Sequence, residues 1–213
     1  MTEPGPASGA SRGRGRPRDP DADDAILRAA FELFVERGVD GTSIEQIAKH
    51  AGVGKLTVYR RWSSKEELLA AAIELIIEDD GPWPANDELE RAEPREIVER
   101  MMPAAAEMAA TPRYRAMMAR MLGSSVSHPS LMATYWKHYI LPRREAVGAM
   151  LEYAKRQGTV ASDADVDVLI DMMAGAVMYR VLQPNPPDAA EMRRYLTAVY
   201  RQVGLLPPDG APE

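Results

Sequence analysis

Residues 42–69, TSIEQIAKHAGVGKLTVYRRWSSKEELL, decide the fold. Ile44, Ile47, Ala48 and Ala51 fall on one helical face that runs up to Gly52, and Thr42 and Glu45 stand ahead of it at capping-box spacing. A second, short helix is expected from about Gly54 to Trp62. SSKEEL then opens a further helix, with Ser63–Glu66 and Ser64–Glu67 as alternative capping boxes. Gly52 tolerates the positive φ of a sharp turn, and Val53 can plug the gap between the two short helices, which together make a helix-turn-helix pattern. Such a turn offers the outer face of the second helix to a DNA major groove. That face carries Lys55, Thr57, Tyr59, Arg60 and Arg61, basic residues interleaved with an aromatic.

Upstream, Leu27, Ala30, Phe31 and Phe34 recur at helical spacing from about Asp23, and Gly38 closes that helix. Residues 1–20 are rich in Gly, Pro, Ser and Arg. They read as a disordered basic arm whose Arg12, Arg14, Arg16 and Arg18 can reach an adjacent groove or phosphates. The competing reading is a tail without a role. Downstream, DDGPWPAND at 79–87 breaks the fourth helix and marks a boundary. Further helical segments are expected at 93–110, 112–124, 129–157 with a kink at Pro142, 163–182 and 188–203. The fold class is therefore all-α: a three-helix head joined by a fourth helix to a larger helical bundle. The organisation is an arm at 1–20, a head at 21–66, a C-terminal domain at 67–207 and a tail at 208–213.

Composition narrows the function. The chain has 213 residues, 46% of them hydrophobic, which is enough for a sizeable core. With no cysteine there is neither a disulfide framework nor a thiolate metal site, and a reducing cytoplasm is the expected setting. No apolar run reaches the ~20 residues a membrane span needs, and no signal-peptide pattern opens the chain. The net charge of −6 divides into +2 for residues 1–65 and −8 for the rest. Phosphate-loop, paired-histidine metal and nucleophile-elbow patterns are missing, so no catalytic residue, metal or cofactor is expected. Asp163, Asp165, Asp167 and Asp171 cluster near a helix start, where the dipole accounts for them.

Residues 42–69 resemble the DNA-binding head of the TetR family of bacterial transcription regulators, and the helical segmentation is similar over nearly the full chain. The resemblance implies roles residue by residue. Thr42 looks like a cap whose hydroxyl and backbone meet a phosphate. Lys55 and Thr57 occupy exposed recognition-helix positions, Tyr59 and Arg60 stand where phosphates or base edges are met, and Lys65 looks like the lysine that pins a phosphate beside the fourth helix. Many relatives carry a small residue where Lys55 stands and Phe where Trp62 stands, so no operator sequence is carried over. Trp62 reads as core that locks the recognition helix, and a solvated side chain is the competing reading of Arg61.

The same resemblance implies a C-terminal bundle that binds a small effector and forms a homodimer through the last two helices. Segment 163–182 carries two apolar stripes, Val166, Ile170, Met173, Val177 and Val181 against Val168, Met172, Gly175 and Tyr179. The second either meets a partner copy or packs in its own chain. Segment 188–203 adds Met192, Tyr195, Leu196, Val199 and Val203. Of the 13 methionines, all but Met1 fall at or after Met101. Met101, Met108, Met117, Met118, Met121 and Met172, with Tyr114, Trp136 and Tyr139, are candidates to line an apolar pocket, and His138 is a candidate to orient the ligand. Taken singly, each is equally ordinary core. The expected function is a ligand-responsive repressor released from a near-palindromic operator by a small hydrophobic effector. The alternative is a TetR-like dimeric DNA-binding or architectural protein without effector control.

Overall fold

The computed structural model describes residues 20–80 and 93–208; the arm, with Arg16 and Arg18, most of the 79–87 boundary and the last five residues lie outside them. The described residues form helices and turns, with no strand among them. The helices are α1 (Pro20–Arg37), α2 (Ile44–His50), α3 (Lys55–Tyr59), α4 (Lys65–Asp80), α5 (Pro94–Ala110), α6 (Pro112–Ser124), α7 (Pro129–Tyr135), α8 (Leu141–Gln157), α9 (Val166–Val181) and α10 (Ala189–Gln202).

Helix limits follow local chemistry. α1 ends where Gly38, at φ 73°, turns its N–H back to the Phe34 carbonyl at 2.8 Å. The capping box of α2 lies one residue beyond the expected pair: the Gln46 N–H donates to Ser43 Oγ at 3.2 Å, and the Ser43 N–H donates to Gln46 Oε1 at 2.9 Å. At α4 the Ser64 alternative holds, with the Glu67 N–H donating to Ser64 Oγ at 3.0 Å. Glu67 in turn accepts from the N–H and hydroxyl of Ser63. Thr111 both ends α5 and starts α6: its hydroxyl donates to the Met108 carbonyl and accepts from the Tyr114 N–H.

The expected kink at Pro142 takes the form of a π-turn at Trp136–Ile140, which ends two residues before the proline. The Leu141 N–H reaches the Trp136 carbonyl, five residues back. Proline has no N–H for the carbonyl four residues earlier and its ring crowds it, so the widened turn relieves the preceding backbone.

Two apolar cores result. The first joins Ile26, Phe31 and Phe34 of α1, Ile47 of α2, Val58 of α3 and Leu68, Leu69 and Ile73 of α4 to Met117 and Met121 of α6 and Leu131 and Tyr135 of α7. The second joins Ile97 and Met102 of α5, Met150 and Leu151 of α8, Ile170 and Val181 of α9 and Met192 and Leu196 of α10, closed by Val203, Leu205 and Leu206. Tyr114 and Met118 pack against both. Gly204 lies so close to the Thr159 carbonyl that a Cβ has no room there, and its φ of 80° suits glycine.

The head is therefore not freely hung. Arg120 of α6 donates to the Val35 and Glu36 carbonyls at the end of α1, at 3.0 and 2.8 Å. The Arg113 guanidinium lies 4.7 Å from the Phe31 ring centroid. His128 Nε2 lies 2.9 Å from Asp40 Oδ1. Between α4 and α8, Arg143 and the buried Glu74 form a two-point ion pair, one contact at 2.9 Å.

Candidate nucleic-acid interface

α3 is short and is held by one buried anchor, Val58, at 0% exposure. Two residues of an α-helix span about 200°, so Leu56 is thrown to the opposite side, where it is 72% exposed. Lys55, Tyr59 and Arg60 are exposed beside it, and Thr57 is half-buried. The inner side of the helix is fixed by Arg61, whose side chain is only 13% exposed. Its guanidinium pairs with Asp23 of α1 and donates to the Thr57 carbonyl at 3.1 Å. Arg61 is thus not a solvated side chain but a tie between α1 and α3.

The capping role expected of Thr42 is corrected, and Lys65 is engaged within the head. Thr42 is 1% exposed, and its hydroxyl donates inward to the Gly38 carbonyl at 2.7 Å, so Ser43 takes the capping position. Lys65 turns toward the same loop, its ammonium donating to the Val39 and Thr42 carbonyls at 2.8 and 3.1 Å. It braces the start of α4 against the segment before α2. Trp62 is half-buried against the first core, as expected.

Lys55 pairs with Glu45 of α2, and its ammonium lies 5.5 Å from the Tyr59 ring centroid. The hydrogen bond from Lys55 holds the Glu45 carboxyl below its ordinary range and raises the lysine in return. Residues 20–65 carry seven Lys+Arg against seven Asp+Glu, so the positive balance of the N-terminal third resides in the arm.

This head matches the model of the bacterial regulatory proteins of the tetR family over residues 26–72, and residues 93–199 match the tetracyclin repressor-like C-terminal domain. The chain belongs to the TetR family of transcriptional regulators. It is 30% identical over 171 residues to the uncharacterised HTH-type regulator YdeS of Bacillus subtilis, a match covering 79% of this chain and 82% of that one. The activator FasR of Mycolicibacterium smegmatis is 42% identical over 69 residues, 32% of this chain and 31% of its own. The crystal structure of the TetR-family regulator SCO0332 superposes with a TM-score of 0.59 at 27% identity, covering 88% of this chain and all of that one.

The residues expected to line an effector pocket of this TetR-family chain are dispersed. Met117 and Met121 are buried in the first core, and Met101 packs on the second. Tyr114 and Met118 sit at their junction, and burial raises the Tyr114 phenol above its ordinary range. Tyr139 is half-buried with its ring 5.6 Å from that of Tyr135. Trp136, His138 and Met172 face outward and line no interior space, because the π-turn and the second stripe of α9 turn them away from both cores. Met108, Tyr114 and Met117 do share a crevice with Phe31, Ile76, Ile77 and Arg113, which is too narrow for a water molecule. Sequence reasoning missed a cleft of about 420 Å³ between α5 and α10, lined by Arg95, Glu99, Met102, Arg193, Thr197, Arg201, Leu206 and Pro207. Its residues come from both ends of the domain, and no local pattern joins them.

On α10, Met192 and Leu196, with Val203 just after it, are buried in the chain's own core, while Tyr195 and Val199 are half-buried. On α9, Val168, Met172 and Tyr179 are exposed, and a Cβ at Gly175 would meet nothing within 4 Å.

Proposed function

We propose that this TetR-family regulator acts in the cytoplasm as a homodimer on a near-palindromic operator. It represses where that operator overlaps a promoter and is released by a small hydrophobic effector. The outward face of α3, with Lys55, Leu56, Tyr59 and Arg60 displayed opposite a single buried anchor, carries the reading. One head of this size makes few base contacts, so two heads one helical turn apart supply affinity and palindromy together. The open α9 stripe of Val168, Met172, Gly175 and Tyr179 supports the pairing. Lys55 and Thr57 face base edges, Tyr59 and Arg60 take phosphates, and the arm with Arg16 and Arg18 adds counterion release.

The effector enters where Phe31 of α1, Ile76 and Ile77 of α4 and Met108, Tyr114 and Met117 converge. A ligand wedged there separates α4 from α1 and changes the spacing of the heads. Release requires the ligand to prefer that separated form, and a coupling of about 1–3 kcal/mol changes occupancy 5- to 150-fold. The closed crevice also favours a second reading, a dimeric DNA-binding protein without effector control. Selection of bound duplexes from a randomised pool, followed by titration of the selected operator with and without a hydrophobic ligand library, separates the two. A palindromic selected site supports the first part, and operator affinity indifferent to every bundle-binding ligand supports the second reading.

A further inference from the structure

We propose that Leu56 reads a thymine methyl group in each operator half-site and is a specificity-determining residue of this regulator. The inference rests on the reading of α3 as the recognition helix. Leu56 is the second residue of that helix, and the first residues of a recognition helix are those that reach base edges. Its side chain is 72% exposed, while Val58, two residues on, is fully buried. An exposed leucine by itself says little. This one stands at the centre of the outward face, with Arg60 on one side of it and Tyr59 and Lys55 on the other. Arg61 turns inward to Asp23, which leaves Lys55, Leu56, Tyr59 and Arg60 as the exposed outward face of α3.

The flanking cations select a polyanion as the surface that covers this leucine. The major-groove floor is otherwise lined with hydrogen-bond donors and acceptors, and the thymine C5 methyl is the apolar group it offers. Leucine against any other base edge covers a polar group without satisfying it, which costs affinity. Attraction to the methyl and exclusion of the other edges therefore work in the same direction.

The test begins with the operator selected by the full-length protein, in which each thymine is replaced in turn by deoxyuridine, leaving base pairing intact and removing only the methyl. One thymine in each half-site should prove sensitive, at about fourfold in affinity for one methyl and about fifteenfold when both half-sites are changed. Leu56→Ala should bind more weakly and lose that sensitivity, with unfolding unchanged because the side chain is exposed. Leu56→Met should keep it. Deoxyuridine tolerated within twofold at every position overturns the proposal. So does an unaltered penalty in Leu56→Ala, which would assign the methyl contact to Thr57. If selection enriches no sequence at all, the recognition-helix reading fails and this inference falls with it.

Discussion

Lys65 shows how one side chain can carry two readings. As a phosphate contact, its removal would lower the salt dependence of binding by about one unit and leave folding untouched. The structure instead has its ammonium donating to two carbonyls of the loop before α2. Lys65→Met strands those acceptors, so unfolding should show a loss of about 2 kcal/mol while the salt slope stays within half a unit of the parent. A stable variant with a reduced slope would restore the phosphate reading. Arg61 and Thr42 carry the same double reading: polar residues in a basic motif look like ligands for DNA, and each also has an internal partner. Asp23 lies 38 residues before Arg61, and no local pattern reports that pairing. Ser43 was within reach of the sequence, because Thr42–Glu45 and Ser43–Gln46 both fit the capping-box spacing, and the buried Thr42 hydroxyl decides between them.

Helices were legible almost to the residue where strong punctuation bounds them: Pro112, Pro129, Gly38 and Gly158 all mark observed ends. Pro103 lies inside α5 without ending it, since packing against the second core outweighs one lost hydrogen bond. Partner faces were less legible. The two stripes of α9 read correctly as more apolar surface than one core needs, and the second remains open. The stripe on α10 looked equivalent, but whether a stripe meets its own chain depends on tertiary placement, which periodicity does not encode. The two helices should therefore respond differently to charge. Met172→Glu on the exposed α9 face should give a folded monomer in sedimentation and abolish operator binding. Val199→Asp, on a half-buried α10 position beside Leu196, should lower the unfolding free energy by about 2 kcal/mol or more, whatever the oligomeric state. A Met172→Glu protein that still sediments as a dimer would place the interface elsewhere.

Across the whole molecule, charge is divided by task. Residues 20–65 are balanced, so the net positive charge of the N-terminal third lies in residues 1–19. Removing residues 1–18 should then reduce the salt slope by several units for a dimer, since each phosphate-bound arginine contributes about 0.9. An unchanged slope would make the arm an inert tail. The head and the bundle meet along α4, and there Glu74 and Arg143 form the buried pair that joins it to α8. Burial raises the Glu74 carboxyl above its ordinary value despite the opposing effect of Arg143. A raised carboxyl means that the folded state holds its proton more tightly than the unfolded state. The associated stability is present below the unfolded carboxylate pKa of about 4.3 and is lost as pH rises through the higher folded value. Ionised Glu74 is therefore a net cost at neutral pH, as the charge of a buried ion pair often is. Glu74→Gln, a mimic of the neutral acid, should stay within about 1 kcal/mol of the parent at pH 7 and lack this pH-dependent loss. Arg143→Leu leaves a buried carboxylate without its partner, so it should lose about 3–5 kcal/mol at pH 7 and recover much of that near pH 4. The double variant should recover most of it at every pH. Chemical unfolding of the three proteins between pH 4 and 8 checks this, and a Glu74→Gln protein several kcal/mol weaker than the parent at pH 7 would show the pair to be a stabilising one.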